Sequence, residues 1–251
     1  MRNDYYDSPV IESTISKTNV AFVKSYLWMF LASALTLLSG LFFTNILKFI
    51  IVTGNTAGNV TFLIMFIVSF VFQMILAYKI NKNALLHASF AKAFGGLMLY
   101  SLLTGFTFSS LFIFFDSEVL YQVFGGVAIY FLLLSFITFL FRKSIHRARG
   151  FAYAGLMTLL IASIIISLVA IFTIKETTAL GLYLSVSIIG VVVFSIITMV
   201  DIKYMYRLID ESENKNAASV AGAFSLYLDF INIAIYILRI LMILGKNVSR
   251  D

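Results

Sequence analysis

Charged residues along this chain come in clusters, and between the clusters lie long runs that carry none. Ser25–Leu47, Ala93–Phe115 and Val119–Phe141 are each 23 residues long, and Phe151–Ile174 and Thr177–Val200 are each 24. A helix needs about 20 apolar residues to cross a hydrocarbon core of about 30 Å. Another charge-free run, Phe49–Tyr78, opens with the turn-rich Thr53-Gly54-Asn55-Thr56-Ala57-Gly58-Asn59, which places a span at Val60–Tyr78. The last apolar run, Val220–Leu244, is interrupted by Asp229 and Arg239. The pattern predicts seven spans. Backbone amides in lipid must be satisfied within their own segment, so the spans are expected to be helices. The runs are continuously apolar and do not alternate with period two, which disfavours a β-barrel.

The expectation is therefore an all-α polytopic membrane protein: a polar cytoplasmic N-terminal segment (1–19), one seven-helix transmembrane domain (20–245) and a short tail (246–251). Short polar links such as Asp116-Ser117-Glu118 and Lys175-Glu176 leave no room for a soluble domain between spans. The first residues lack a basic stretch followed by a short apolar one, so no cleaved signal peptide is read and the first span is expected to be a retained anchor.

Composition agrees. The chain of 251 residues is 61% hydrophobic and only 12% charged, against about 25% charged in a soluble domain. Its mean hydropathy is +1.00, which disfavours a soluble enzyme, a disordered chain and a nucleic-acid-binding domain. Cysteine is absent, which removes disulfides, thiolate nucleophiles and Cys-ligated metals. The single proline, Pro9, lies outside every span, so no span is kinked by proline.

The net charge of +6 reads as loop lysines and arginines. With seven crossings, Arg2, Lys17, Lys24, Lys79, Lys82, Lys92, Arg142, Lys143, Arg147, Arg149, Lys203, Arg207 and Lys215 fall on one side. Lys48, Lys175, Lys246 and Arg250 fall on the other, and Arg239 lies within a span. The bias puts the N-terminus in the cytoplasm and the C-terminus outside. A re-entrant last segment would return the tail inside.

Ionisable groups inside a membrane cost at least about 2.5 kcal/mol each on insertion scales, so the few present are the candidates for chemistry. Asp229 lies well inside the seventh span, and Asp201 closes the sixth charge-free run. Ser225, Asp229, Asn232, Tyr236 and Arg239 recur at steps of four, three, four and three, which places them on one helical face. Such a stripe faces a bundle interior or a wet cavity. It serves as interhelical hydrogen-bonding glue or as an ion or proton pathway. On the sixth span Ser195, Thr198 and Asp201 share a face. Asp201 is either an interfacial acid exposed to water or, because the sixth span ends where the seventh begins, a partner for Asp229. The third span carries Ser101, Gly105 and Ser109, a small-residue row suited to close helix packing or to lining a pathway.

Other chemistries lack their residues. His87 and His146 sit among basic residues at span ends. No HExxH helix, GxSxG elbow or Walker loop occurs, and the seventh span has no lysine for a Schiff base. No nucleophile–base pair is visible, so an enzyme is not expected, and nothing in the pattern calls for a cofactor.

The run Ser225-Leu226-Tyr227-Leu228-Asp229-Phe230-Ile231-Asn232, followed by Tyr236 and Leu238-Arg239, closely resembles the last helix of the Bax inhibitor-1-like (transmembrane BAX inhibitor motif) family. Gly105-Phe106-Thr107 with Ser109 resembles that family's third-helix stretch, and Val200-Asp201 its tyrosine-aspartate element. The resemblance extends over roughly residues 20–245. It implies a bundle around a central seventh helix, and a calcium leak made pH-sensitive by two aspartates, here Asp201 and Asp229. It also implies a second-helix arginine that latches the sixth-helix aspartate. No arginine stands there, and Lys79 or Lys82 would have to substitute, without the bidentate fork of a guanidinium. The acidic residue of that helix is likewise missing, with Gln73 the nearest polar residue, and Val200 replaces the tyrosine.

The physics is consistent with what the resemblance implies. Two neighbouring carboxylates in a poorly solvated site cannot both ionise cheaply and come to share a proton, and carboxylate oxygens suit transient contact with Ca²⁺. The leading expectation is a pH-sensitive Ca²⁺ leak in a bacterial-type plasma membrane, opened by acid if a lysine latch holds Asp201. A non-conducting regulator of stress or cell-death signalling acting through partners, and a proton-coupled transporter using Asp229, are the alternatives.

Overall fold

The computed structural model describes residues 9–54, 56–87, 89–140, 154–158, 161, 165 and 176–248. These are helical apart from short connections, and no strand occurs among them. In chain order the helices are α1 (Pro9–Val52), α2 (Thr56–Asn81), α3 (Phe90–Phe112), α4 (Ser117–Leu140), α5 (described at 154–158, with Ile161 and Ile165 also helical), α6 (Glu176–Glu211) and α7 (Lys215–Val248). Among the described residues six helices, α1, α2, α3, α4, α6 and α7, are long and apolar enough to cross a membrane. Most of the predicted fifth span, Phe151–Ile174, lies outside the described residues. So do Arg2, the Arg142–Arg149 cluster with His146, Lys175 and Arg250.

Helices outrun the charge-free runs that announced them. α1 starts at Pro9, inside the polar segment 1–19, with proline at the first helical position, where its missing N–H costs nothing. α6 continues past Asp201 to Glu211, and α7 is a single helix of 34 residues whose apolar part, Lys215–Gly245, is long enough to span. α2 ends in a π turn, Lys82–Leu86.

The chain forms two compact units. The first comprises residues 1–120 with 203–227, and the second 121–202 with 228–251, so α6 and α7 each contribute to both.

In the first unit α1 buries Ala21, Ser25, Met29, Ala32, Thr36, Gly40, Thr44 and Leu47. Steps of three and four make this one helical face. Opposite it on α3 lie Ser101, Gly105 and Ser109. Thr36 Oγ1 donates to the Ser101 carbonyl (3.0 Å) and Thr44 Oγ1 to that of Ser109 (3.2 Å). A Cβ on Gly105 would collide with Ser39 and the Thr36 carbonyl and lie 2.7 Å from the Gly40 nitrogen. Only glycine permits this approach. α2 rests on α3 and turns Val60, Leu63, Ile67, Val71 and Met74 outward, a surface suited to lipid. At the polar end, Thr18 donates to Asp210 (3.1 Å), Lys24 to Asn216 (2.8 Å) and Tyr206 to Asn19 (3.3 Å). Asn214 caps α7 by accepting the Ala217 N–H at 3.1 Å.

In the second unit α4 buries Val123, Val127, Phe131, Leu134 and Thr138. The Phe124 and Phe131 rings meet Phe230 of α7 at centroid distances of 5.9 and 5.6 Å. α5 comes close to α6 at Gly155, where a Cβ would lie 3.3 Å from Val193.

Candidate functional site

The second unit holds the acidic site. Asp229 lies midway along α7, flanked by apolar residues, and is only 4% exposed. Burial at that depth follows from the face it shares with Asn232 and Tyr236, which the 3.6-residue repeat turns toward α6. α6 presents Thr198, fully buried, and Asp201, half-buried one turn further on. The Thr198 hydroxyl meets the Asp229 carboxyl, and Asp201 is near enough for the two carboxyl groups to act on each other electrostatically. Thr198 Oγ1 also donates to the Phe194 carbonyl at 2.8 Å. The second oxygen of Asp229, Oδ2, has no hydrogen-bond partner among the described residues. A buried carboxyl with a bare oxygen is costly in a way that glue need not be.

The rest of the stripe divides. Asn232 Nδ2 turns back to the Leu228 carbonyl of its own helix (2.8 Å). Tyr236 packs on Gly190 of α6, where a Cβ would lie 2.7 Å from its ring, and its centroid is 5.8 Å from that of Phe194. The Arg239 guanidinium stands 5.7 Å from the Tyr236 centroid, a cation–π distance. Ser225, one turn before Asp229, belongs to the first unit and is half-buried. Ser195 shares a 2.7 Å bond with the Tyr130 hydroxyl of α4 and donates to the Val191 carbonyl, so Tyr130 is the donor between the two hydroxyls.

Lys79 is exposed at the end of α2, and Lys82 opens the π turn with its ammonium 5.8 Å from the Tyr78 centroid. His87 is exposed. Ser101, Gly105 and Ser109 form the α1–α3 contact described above. Among the described residues no group of three or more His, Asp or Glu side chains comes together. A resident Ca²⁺ takes about six to eight oxygen ligands; the two aspartates offer four carboxylate oxygens.

Two features of these units were invisible in the hydropathy pattern. Gly190 sits within an apolar run, and nothing marks it as a seat for a tyrosine. In the first unit, Gln73 donates to Thr107 (2.8 Å) and accepts from Thr104 (3.3 Å), while the fully buried Tyr227 bonds Thr36 at 2.7 Å and also meets Thr104. This network links α1, α2, α3 and α7. The glutamine within the second span, with the hydroxyls of Thr104 and Thr107 on the third, is its signal in the sequence.

The family model described as "Inhibitor of apoptosis-promoting Bax1" matches residues 18–246. An uncharacterized protein of Borreliella burgdorferi is 31% identical over 189 residues, 74% of this chain and 76% of its own length. The inner membrane protein YbhL of Escherichia coli is 32% identical over 148 residues, 57% of this chain and 60% of its own length. An uncharacterized membrane protein of Streptococcus pyogenes is 29% identical over 152 residues, 60% of this chain and 62% of that relative. With its membrane-spanning helices and a family match over nearly its whole length, the chain is an integral membrane protein of the Bax inhibitor family.

Proposed function

We propose that the protein is a pH-regulated cation leak, passing Ca²⁺ down its gradient, with Asp201 and Asp229 as proton sensor and part of the ion path. The observation that supports this reading is the Asp229 carboxyl: buried within a helix long enough to span a membrane, one oxygen without a hydrogen-bond partner among the described residues, a second aspartate beside it. Intramembrane acids are expensive and mark ion or proton routes. A proton gained or lost at two neighbouring acids changes the local charge by one unit without rearranging the fold. A divalent cation passing the pair finds carboxylate oxygen, the ligand type it prefers. The protein acts here as a passive conductor and not as an enzyme. The lysine and arginine bias orients it with the N-terminus in the cytoplasm, and the inner-membrane designation of YbhL favours the plasma membrane of a bacterium.

The test is calcium entry into indicator-loaded liposomes that contain this protein and no other. Entry that follows the gradient without saturating supports the leak. Saturable entry that requires a counter-ion identifies a transporter. No entry at any pH leaves the family's regulatory reading, in which the protein acts through partners.

A further inference from the structure

The seam between α6 and α7 in the second unit changes character along its length. At one end it carries Asp201, Thr198, Asp229 and Asn232. Further along it carries Phe194 and Gly190 from α6 and Tyr236 from α7. Beyond that lie Ser187 on α6, fully buried, and Arg239 on α7, half-buried. Polar positions thus stand on both sides of an aromatic crossing. At the crossing, the absence of a side chain at Gly190 lets the Tyr236 ring settle against the α6 backbone, closer than any Cβ would allow. From Asp229 the crossing is seven residues along α7, about 10 Å at the usual helical rise.

We propose that Tyr236, seated on Gly190 and walled by Phe194, is the barrier that closes the aspartate site from the side of the α7 C-terminus. Resting on the leak reading, it adds the residue that limits passage beyond the aspartates. An aromatic ring lying across a polar seam excludes water, and a dewetted constriction stops ions without a charge. Glycine at 190 is what makes the seal tight: any larger residue lifts the ring off the helix.

The chain has no cysteine, so single thiols report access cleanly. An Asn232→Cys variant in sealed vesicles is treated with a membrane-impermeant methanethiosulfonate from the side of the α7 C-terminus. Labelling is expected to be slow with Tyr236 present, to rise roughly tenfold with Tyr236→Ala, to rise by a smaller factor with Gly190→Ala, and to stay unchanged with Tyr236→Phe. Gly190→Ala keeps the ring, so it tests the seat even if Tyr236→Ala fails to fold. Fast labelling with Tyr236 intact overturns the barrier, as does slow labelling that neither Tyr236→Ala nor Gly190→Ala changes. Calcium entry is measured on the same vesicles. Labelling that follows the expected order without any calcium entry keeps the barrier and removes the leak; calcium entry with labelling blind to residue 236 does the reverse.

Discussion

Two polar clusters are built on α7, and they solve the problem of burying polarity in opposite ways. In the first unit Tyr227, Thr36, Thr104, Gln73 and Thr107 are neutral and bonded to one another, with both ends of the Gln73 amide engaged. In the second unit, two residues along the same helix, Asp229 is buried with one oxygen that has no hydrogen-bond partner among the described residues. A satisfied neutral network holds helices together at small cost and asks for nothing more. An unsatisfied acid weakens the fold, and its presence calls for a purpose beyond packing. The difference sets a neutral network that holds helices together apart from the acid on which the proposed leak depends.

Breaking the structural side gives the largest expected loss of stability. Gly105→Val puts branched carbons into the Thr36 carbonyl and Ser39, and overpacking costs about 1–3 kcal/mol, occasionally more. Thermal unfolding in detergent is expected to show a large drop in midpoint. An unchanged midpoint would mean that α1 and α3 do not approach this closely. Tyr227→Phe removes the hydroxyl bonded to Thr36 and is expected to cost about 1 kcal/mol while leaving any pH response of calcium entry intact. A lost pH response would merge the two clusters into one functional unit. Asp229→Asn is expected to leave stability level or to raise it slightly, because it removes a costly acid. A loss as large as that of Gly105→Val would make Asp229 structural after all. Ser195→Ala, which strands the Tyr130 hydroxyl, is the smallest of the expected losses at about 0.6 kcal/mol, read from the same unfolding curves.

The spans were readable because charge in hydrocarbon is costly, and the ends of α3 and α4 fall within three residues of the charge-free runs that announced them. The ends of α1 and α6 were not, since a helix continues in water wherever its backbone bonds allow, and Ile202–Glu211 does so despite its charges. Asp229 stood out as a lone acid in an apolar run. Thr198 and Asp201 followed from its period and from the direction of the chain. Gln73 with Thr104 and Thr107, and Gly190 with Tyr236, were hidden because their meaning lies in a partner on another helix. A single chain's periodicity shows which face a residue occupies and not what stands opposite.

On the proposed reading the Asp201–Asp229 pair senses protons for the leak. The direct measurement is calcium entry into liposomes holding purified wild type or Asp229→Asn, compared between about pH 6 and about pH 8. Entry that varies with pH in the wild type and is flat in the variant is the expected result. The same pH dependence in both proteins would contradict the claim.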